Sequence, residues 1–109
     1  MIRLATVFSG IGAPEEALKQ LHEDYRIVFA CDNGERELKV PYEEIIETTK
    51  DMSYEERLEY VDNLYIKTKK ENYVKKSYFA NHNISEDRWY EDVRFIDGVR
   101  YRDQVDILV

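Results

Sequence analysis

A strand–turn–helix–strand pattern at the start of the chain limits the folds that this sequence can adopt. Residues 3–8 (RLATVF) form an apolar run that predicts a strand, and a turn with two glycines follows it. Pro14 suits the first turn of a helix, and apolar spacing predicts that this helix continues to about His22. Residues 27–31 (IVFAC) predict a second, buried strand. A strand, helix and strand in this order predict a parallel sheet with a right-handed crossover, and therefore an α/β fold.

The remainder of the chain differs in character from this unit. Residues 35–76 are highly charged and rich in tyrosine, and a capping-box pattern at Ser53 predicts the start of an amphipathic helix there. A further helix is predicted over residues 72–81 and a short strand within 89–93. The final residues 105–109 (VDILV) predict another strand of the buried parallel type.

Composition restricts the classes of partner and compartment. The 109 residues are 43% hydrophobic and 36% charged, which is typical of a soluble globular domain with a modest core. No long apolar run or signal-peptide layout occurs, and Cys31 is the only cysteine, so a cytoplasmic location is predicted. The net charge of −7 disfavours tight phosphate binding by the chain as a whole. The lysines grouped within residues 67–76 are interpreted as a solvated helix face and turn.

The glycine turn FSGIG lies where a parallel sheet binds ligands, at the carboxyl end of a strand. A dinucleotide fingerprint would need glycine at position 15, but Glu15 and Glu16 stand there. These carboxylates stabilise the helix through its dipole and use up the positive potential that a pyrophosphate needs. NAD, FAD and ATP are therefore disfavoured. A ligand with a positive centre and no phosphate, such as S-adenosylmethionine with its sulfonium, is favoured.

Asp32 adds to this pattern. It follows the second predicted strand, where a carboxylate can accept hydrogen bonds from ribose hydroxyls, although capping the turn in DNGE is an alternative role. A strand end, a glycine turn and an acidic residue together indicate a nucleoside ligand.

Four motifs in order give the chain a resemblance to a known family. TVFSGIGAPEEAL, IVFACDN, SYFANHN with YEDV, and VDILV resemble the opening motifs of cytosine-5 DNA methyltransferases. The resemblance covers residues 4–33 and 78–109, and leaves 35–76 as an enlarged helical insertion. It implies a partial Rossmann-like methyltransferase fold with S-adenosylmethionine as cofactor. The parent reaction, of the restriction–modification type, would transfer a methyl group to carbon 5 of cytosine in DNA.

The resemblance also implies residue roles. The cofactor loop of the family is matched by Phe8, Ser9, Gly10, Ile11 and Gly12. Asp32 matches the acidic residue that holds the ribose. Asn33 stands where members often carry an apolar or aromatic residue against adenine, so the sequence departs from the family there. Asp92 and Val93 match the acidic–aliphatic pair at the adenine edge, where the aspartate accepts a hydrogen bond from the exocyclic amine. The alternative role of Asp92 is that of an exposed loop residue at the surface.

The catalytic cysteine of the family has no match in these residues. Cys31 lies inside an apolar strand and is interpreted as a core residue, and His22 and His82 are not expected to form a metal pair. In the family the nucleophile follows a proline just after the strand matching residues 105–109. We therefore expect a fragment, a truncated reading frame or one piece of a split enzyme. Alone it would be inactive and would bind DNA weakly if at all, and no membrane association is expected.

Two other interpretations of the function remain open. A nucleoside-binding oxidoreductase domain is an alternative, which Glu15 and Glu16 disfavour. A non-enzymatic interaction module is another. Its contact surface would be formed by tyrosines of the helices, namely Tyr54, Tyr60, Tyr65, Tyr73 and Tyr78.

The apolar strand at residues 105–109 is expected to lie beside the first strand as a sheet edge, through which the chain would self-associate.

Overall fold

A parallel β-sheet forms the centre of the computed structural model, which describes residues 1–8, 10 and 12–109. The strands of the described residues are β1 (Ile2–Val7), β2 (Tyr25–Cys31), β3 (Trp89–Tyr90) and β4 (Ile107–Leu108). Their order across the sheet is β3-β2-β1-β4, and every neighbouring pair is parallel. The predicted α/β class, with a parallel sheet built on an N-terminal βαβ unit, is confirmed.

Helices cover the sheet on both faces. Those of the described residues are α1 (Ala13–Gln20), α2 (Tyr42–Thr49), α3 (Tyr54–Lys67) and α4 (Tyr73–Asn81). The predicted helices correspond to α1, α3 and α4, whereas α2 was not predicted as a separate element. It begins after Pro41 and carries Glu43 and Glu44 in its first turn, where carboxylates stabilise the helix dipole. Among the described residues no helix combines the length and apolar character needed to cross a bilayer.

The capping box of α3 forms as the sequence predicts. The Glu56 backbone N–H donates to Ser53 Oγ at 3.2 Å, and the Ser53 N–H donates to Glu56 Oε1 at 3.3 Å. These two bonds satisfy backbone donors that the first turn of a helix cannot pair internally. The helix that begins after Ser53 buries the side chains of Val61 and Tyr65.

Among the described residues, three clusters of the core pack the helices onto the sheet and onto each other. On one face of the sheet, Tyr78 of α4 packs with Ile27 and Trp89. On the other face, residues of α3 pack against Val28 and Phe29. The third cluster joins α2 to α3, and its buried residues are Ile45, Val61, Tyr65 and Phe95. The insertion is therefore packed onto the sheet as part of the same core.

The expected place of the last strand, beside β1 at an edge of the described sheet, is confirmed, whereas the burial that its apolar pattern predicts is not observed. Ile107, Leu108 and Val109 are 38%, 66% and 55% exposed. An apolar strand becomes buried only if other elements cover it, and β4 lies at an edge of the described sheet with β1 on one side. Its position is fixed by Arg3, whose Nη2 lies 2.9 Å from Asp106 Oδ1. Hydrogen bonds from Arg3 lower the pKa of the Asp106 carboxyl to about 2.

We propose that this exposed edge pairs with another copy of the chain, because an apolar edge strand offers unpaired N–H and C=O groups. Sedimentation over a range of concentrations should show self-association. Leu108→Lys should abolish it, since a lysine on an edge strand opposes strand pairing. Leu21→Lys, at an equally exposed position at the C-cap of α1, should leave it unchanged. A monomer at the highest concentration, with the β4 amides protected from hydrogen exchange, would contradict the proposal.

Candidate cofactor-binding site

The carboxyl ends of β1, β2 and β3 meet around one open cavity of about 360 Å³. Residues predicted from three separate parts of the sequence line it, namely Phe8, Asp32, Asn33, Asp92 and Val93. The topology explains this convergence, because parallel strands end at the same edge of the sheet and each of these residues lies at or just beyond such an end. The described residues of the predicted set thus lie together, with the exceptions of Gly10 and Gly12.

Gly10 and Gly12 both adopt left-handed backbone conformations. Gly10 has φ +57° and Gly12 has φ +89°, a region that favours glycine. Gly12 is the N-cap of α1, and a Cβ atom built on it would overlap the His82 ring. Gly12 therefore packs against the segment after α4, whereas Gly10 contacts the cavity residue Asp32. The predicted residues Ser9 and Ile11 lie outside the described residues.

Asp32 joins the glycine loop to the turn after β2. Its Oδ2 accepts a hydrogen bond from the Gly10 N–H at 3.0 Å, and its Oδ1 accepts one from the Gly34 N–H at 2.8 Å. The turn-capping role is thus present. A carboxylate has about four acceptor positions, so two hydrogen bonds leave room for hydroxyl donors. Capping a turn and holding a ribose are compatible at this position.

Asp92 is buried, so the alternative of an exposed loop residue is wrong. Its Oδ2 accepts hydrogen bonds from the Tyr65 hydroxyl and Arg94 Nη2, each at 2.8 Å. Its Oδ1 accepts from the backbone N–H and Nε of Arg94, each at 3.0 Å. Burial alone would raise the pKa of this carboxyl, but the hydrogen bonds from Arg94 and Tyr65 outweigh it and the pKa is lowered. All acceptor positions are taken, so a ligand amine would have to replace a donor from Arg94.

Several residues of the cavity were not found by sequence reasoning. Arg36 is buried, and its Nη2 lies 2.6 Å from Glu91 Oε2. The Asn72 Nδ2 donates to the same Glu91 oxygen at 2.7 Å and to the Asp32 carbonyl at 2.8 Å. The Arg36 guanidinium also lies 4.7 Å from the centre of the Tyr65 ring. These contacts join residues far apart in sequence through the insertion, and no local spacing pattern could have revealed them.

Glu15, in the first turn of α1, is buried in the core and does not line the cavity. Its side chain is fully buried, and Oε1 accepts hydrogen bonds from the Tyr78 hydroxyl at 2.5 Å and Thr6 Oγ1 at 3.3 Å. Its other oxygen has no hydrogen-bond partner within the described residues. Burial, followed by the hydrogen bond to Glu15, raises the pKa of Tyr78. Glu15 thus joins α1 to α4, a role that its position in the sequence did not suggest.

Cys31 is a core residue, as predicted. Its side chain is 2% exposed, and burial raises the pKa of the thiol to about 12. Because the thiolate is the reactive form of cysteine, this residue remains unreactive at neutral pH. In the described part of the chain, no three histidine, cysteine or acidic side chains lie close enough together to hold a metal ion.

Comparisons of the chain with protein families, with curated proteins and with solved structures find no match. The fold itself defines the chain as an α/β protein with helices on both faces of a parallel sheet. The cavity lies where proteins of this class bind small ligands.

Proposed function

We propose that the chain is the S-adenosylmethionine-binding part of a DNA (cytosine-5-)-methyltransferase. The observation that supports this proposal is the convergence of Phe8, Asp32 and Asp92 on one cavity. Each comes from a different motif of the resemblance, and each follows a different strand. A cavity of about 360 Å³ is within the usual range of small-molecule sites, roughly 300 to 1,000 Å³.

The residues of the cavity fit the groups of this cofactor. S-adenosylmethionine supplies a methyl group activated by its positive sulfonium. The glycine loop would approach the methionine part with its backbone, and Asp32 has acceptor positions left for ribose hydroxyls. Asp92 would accept from the adenine amine while Val93 packs on the ring. Because Arg94 and Tyr65 fill the acceptor positions of Asp92, we expect weak affinity, with a dissociation constant near millimolar, about −4 kcal/mol.

The chemical step would need a residue from outside residues 1–109. The sequence contains no Pro-Cys dipeptide, and Cys31 is buried with a raised pKa. Family members attack the target base with a cysteine thiolate after flipping the base out of the duplex. We therefore propose that the chain binds the cofactor but methylates DNA only together with a segment that carries the nucleophile.

The interaction-module alternative has less support. Of the tyrosines suggested as its contact surface, Tyr65 is 2% exposed and Tyr78 is fully buried. Tyrosines of amphipathic helices commonly pack onto their own core in this way. Tyr73, at 69% exposed, remains on the surface.

Titration calorimetry with four ligands tests the proposed function. We expect S-adenosylmethionine and its demethylated product to bind more tightly than NAD or ATP. Asp32→Ala should weaken the binding by about 1 to 3 kcal/mol, because a hydrogen bond to a charged group contributes on this order. Asp51→Ala, which removes an exposed carboxylate from the turn after α2, should have no effect. A clear preference for NAD, or equal binding by the Asp32 variant, would reject the proposal.

A further inference from the structure

Two adjoining clefts on the insertion are lined by lysines and share Lys70. The larger, about 580 Å³, lies between the end of α3 and α4, where it includes Lys69, Lys75 and Lys76. The smaller lies between α3 and the segment before α2, where it includes Lys39 and Lys67. The sequence placed most of these lysines on a solvated helix face. The fold instead gathers them along a concave surface.

The charge of this surface is opposite to that of the whole protein. Seven basic side chains line the two clefts, against the four acidic side chains Glu37, Glu71, Glu86 and Glu91. The complete chain has 16 basic and 23 acidic residues. The clefts are therefore a local positive region on a protein whose remaining surface is strongly negative, a segregation that directs an anionic partner to one site.

Four of the lysines form no ion pair within the described residues. Lys75 lies 2.7 Å from Glu86, and Lys76 lies 2.6 Å from Glu71, so these two are already neutralised. The side chains without such a partner are Lys39, Lys67, Lys69 and Lys70, and all four are exposed. An approaching polyanion can contact them without first breaking an internal ion pair.

Apolar and aromatic groups lie among these charges. Ile66 and Tyr73 are each 69% exposed. Lys75 Nζ lies 5.4 Å from the centre of the Phe79 ring, and Lys76 Nζ lies 5.6 Å from that of Tyr73. Lysines that track a backbone, next to rings on which bases can stack, are typical of surfaces that bind nucleic acid. A lipid bilayer, which is flat, would not fit into a concave surface of this kind.

We propose that these lysine-lined clefts bind the phosphodiester backbone of a nucleic acid. Most of the residues that form them belong to the insertion, outside the motifs that support the proposed function. The inference deepens that function, on which it rests, by naming a surface that would hold the nucleic acid. Arg36 and Glu91 line both the cofactor cavity and the larger cleft. A strand held in the clefts would therefore lie beside the cavity.

Fluorescence anisotropy with labelled DNA oligonucleotides, single- and double-stranded, tests this inference on the chain as it is. Binding by the wild-type chain is expected at low salt. If four lysines each neutralise a phosphate, affinity should fall about 50-fold for single strands and about 150-fold for duplex DNA between about 50 and 200 mM salt. The variant Lys67→Glu/Lys69→Glu/Lys70→Glu should bind at least about tenfold more weakly, because it reverses three of these charges.

A matched variant tests whether binding depends on the lysines of the clefts or only on the net charge of the protein. Lys19→Glu/Lys50→Glu/Arg102→Glu changes the charge by the same amount at exposed positions elsewhere. Lys19 also stands in the last turn of its helix, as Lys67 does. This control should bind like the wild type, and both variants should keep the wild-type circular dichroism. Equal weakening by both variants, no binding at low salt, or equal competition by poly-glutamate would overturn the proposal. Calorimetry of cofactor binding is unaffected by these outcomes and tests the proposed function separately.

Discussion

Gly12→Ala is expected to destabilise the protein by roughly 2 to 5 kcal/mol, the sum of a left-handed backbone penalty and a steric overlap. Gly12 has φ +89°, and a Cβ atom at this position would overlap the His82 ring. The overlap involves a ring that also packs on Tyr78, with centroids 4.6 Å apart, so the ring is not free to move away. Urea unfolding followed by circular dichroism measures the loss.

Substitutions at two other glycines distinguish the backbone penalty from the steric overlap. Gly10→Ala shares the left-handed backbone, at φ +57°, but nothing lies within 4 Å of its added Cβ. It should cost only about 1 to 2 kcal/mol, the backbone penalty alone. Gly98→Ala has neither a positive φ nor a close contact, and should leave stability almost unchanged. The expected order of destabilisation is therefore Gly12, then Gly10, then Gly98.

A double variant tests the steric part directly. If the overlap with His82 is the main cost, Gly12→Ala should be less harmful in a His82→Ala background than in the wild type. A favourable coupling of about 1 kcal/mol or more between the two positions is expected, since residues in contact couple in this range. If the free-energy losses of Gly12→Ala and His82→Ala simply add, the inferred packing of Gly12 against His82 is wrong. The same conclusion follows if Gly10→Ala costs as much as Gly12→Ala.

Local sequence patterns predicted those parts of the fold that depend on neighbours in the chain. The run IVFAC became β2, and Ser53 with Glu56 formed the capping box of α3. The exposure of β4 does not follow from its apolar pattern, and was expected only from its place at the sheet edge. Its apolar residues indicate a preference for a buried environment, but whether they are covered depends on what packs against the sheet edge.

The same division holds for the candidate site. Asp32 was found because it follows a predicted strand, and Asp92 because YEDV resembles a family motif; the two lie together because parallel strands end at one edge of a sheet. Their partners were not found, because Tyr65 lies on a helix of the insertion and reaches Asp92 only through tertiary packing. Arg94 is close in sequence, yet nothing in the pattern YEDVR indicates that its guanidinium binds the carboxylate two residues earlier. Residue types at strand ends are local information, whereas hydrogen-bond partners are not.

Asp92→Ala is the second substitution with a large expected effect, a loss of about 2 to 3 kcal/mol in stability. The change leaves the buried Tyr65 hydroxyl without its acceptor and removes the carboxylate from Arg94. The Arg94 side chain is 44% exposed, so water screens part of that second loss. Asp92→Asn, which keeps the shape and one acceptor oxygen, should cost less.

Asp97 offers a matched control for this substitution. Both aspartates accept a hydrogen bond from the backbone N–H two residues later, Arg94 for Asp92 and Val99 for Asp97. Asp97 lacks the buried tyrosine partner, so Asp97→Ala should cost only about 0.5 to 1 kcal/mol, the loss of a cap. Equal losses at the two positions would mean that Asp92 acts only as a cap and that its contact with Tyr65 contributes nothing.

The dependence on pH provides an independent test of Asp92. Its folded pKa lies below the ordinary value, because the hydrogen bonds from Arg94 and Tyr65 outweigh burial and favour the charged form. A carboxylate of this kind stabilises the fold above its unfolded pKa of about 3.9, and that contribution is lost as the pH falls through the folded pKa. The difference in unfolding free energy between the wild type and Asp92→Asn should therefore be constant near neutral pH and shrink below about pH 4. A difference that grows on acidification would mean that the buried carboxyl is held in its neutral form. In that form it could not serve as the charged acceptor that the proposed adenine contact requires.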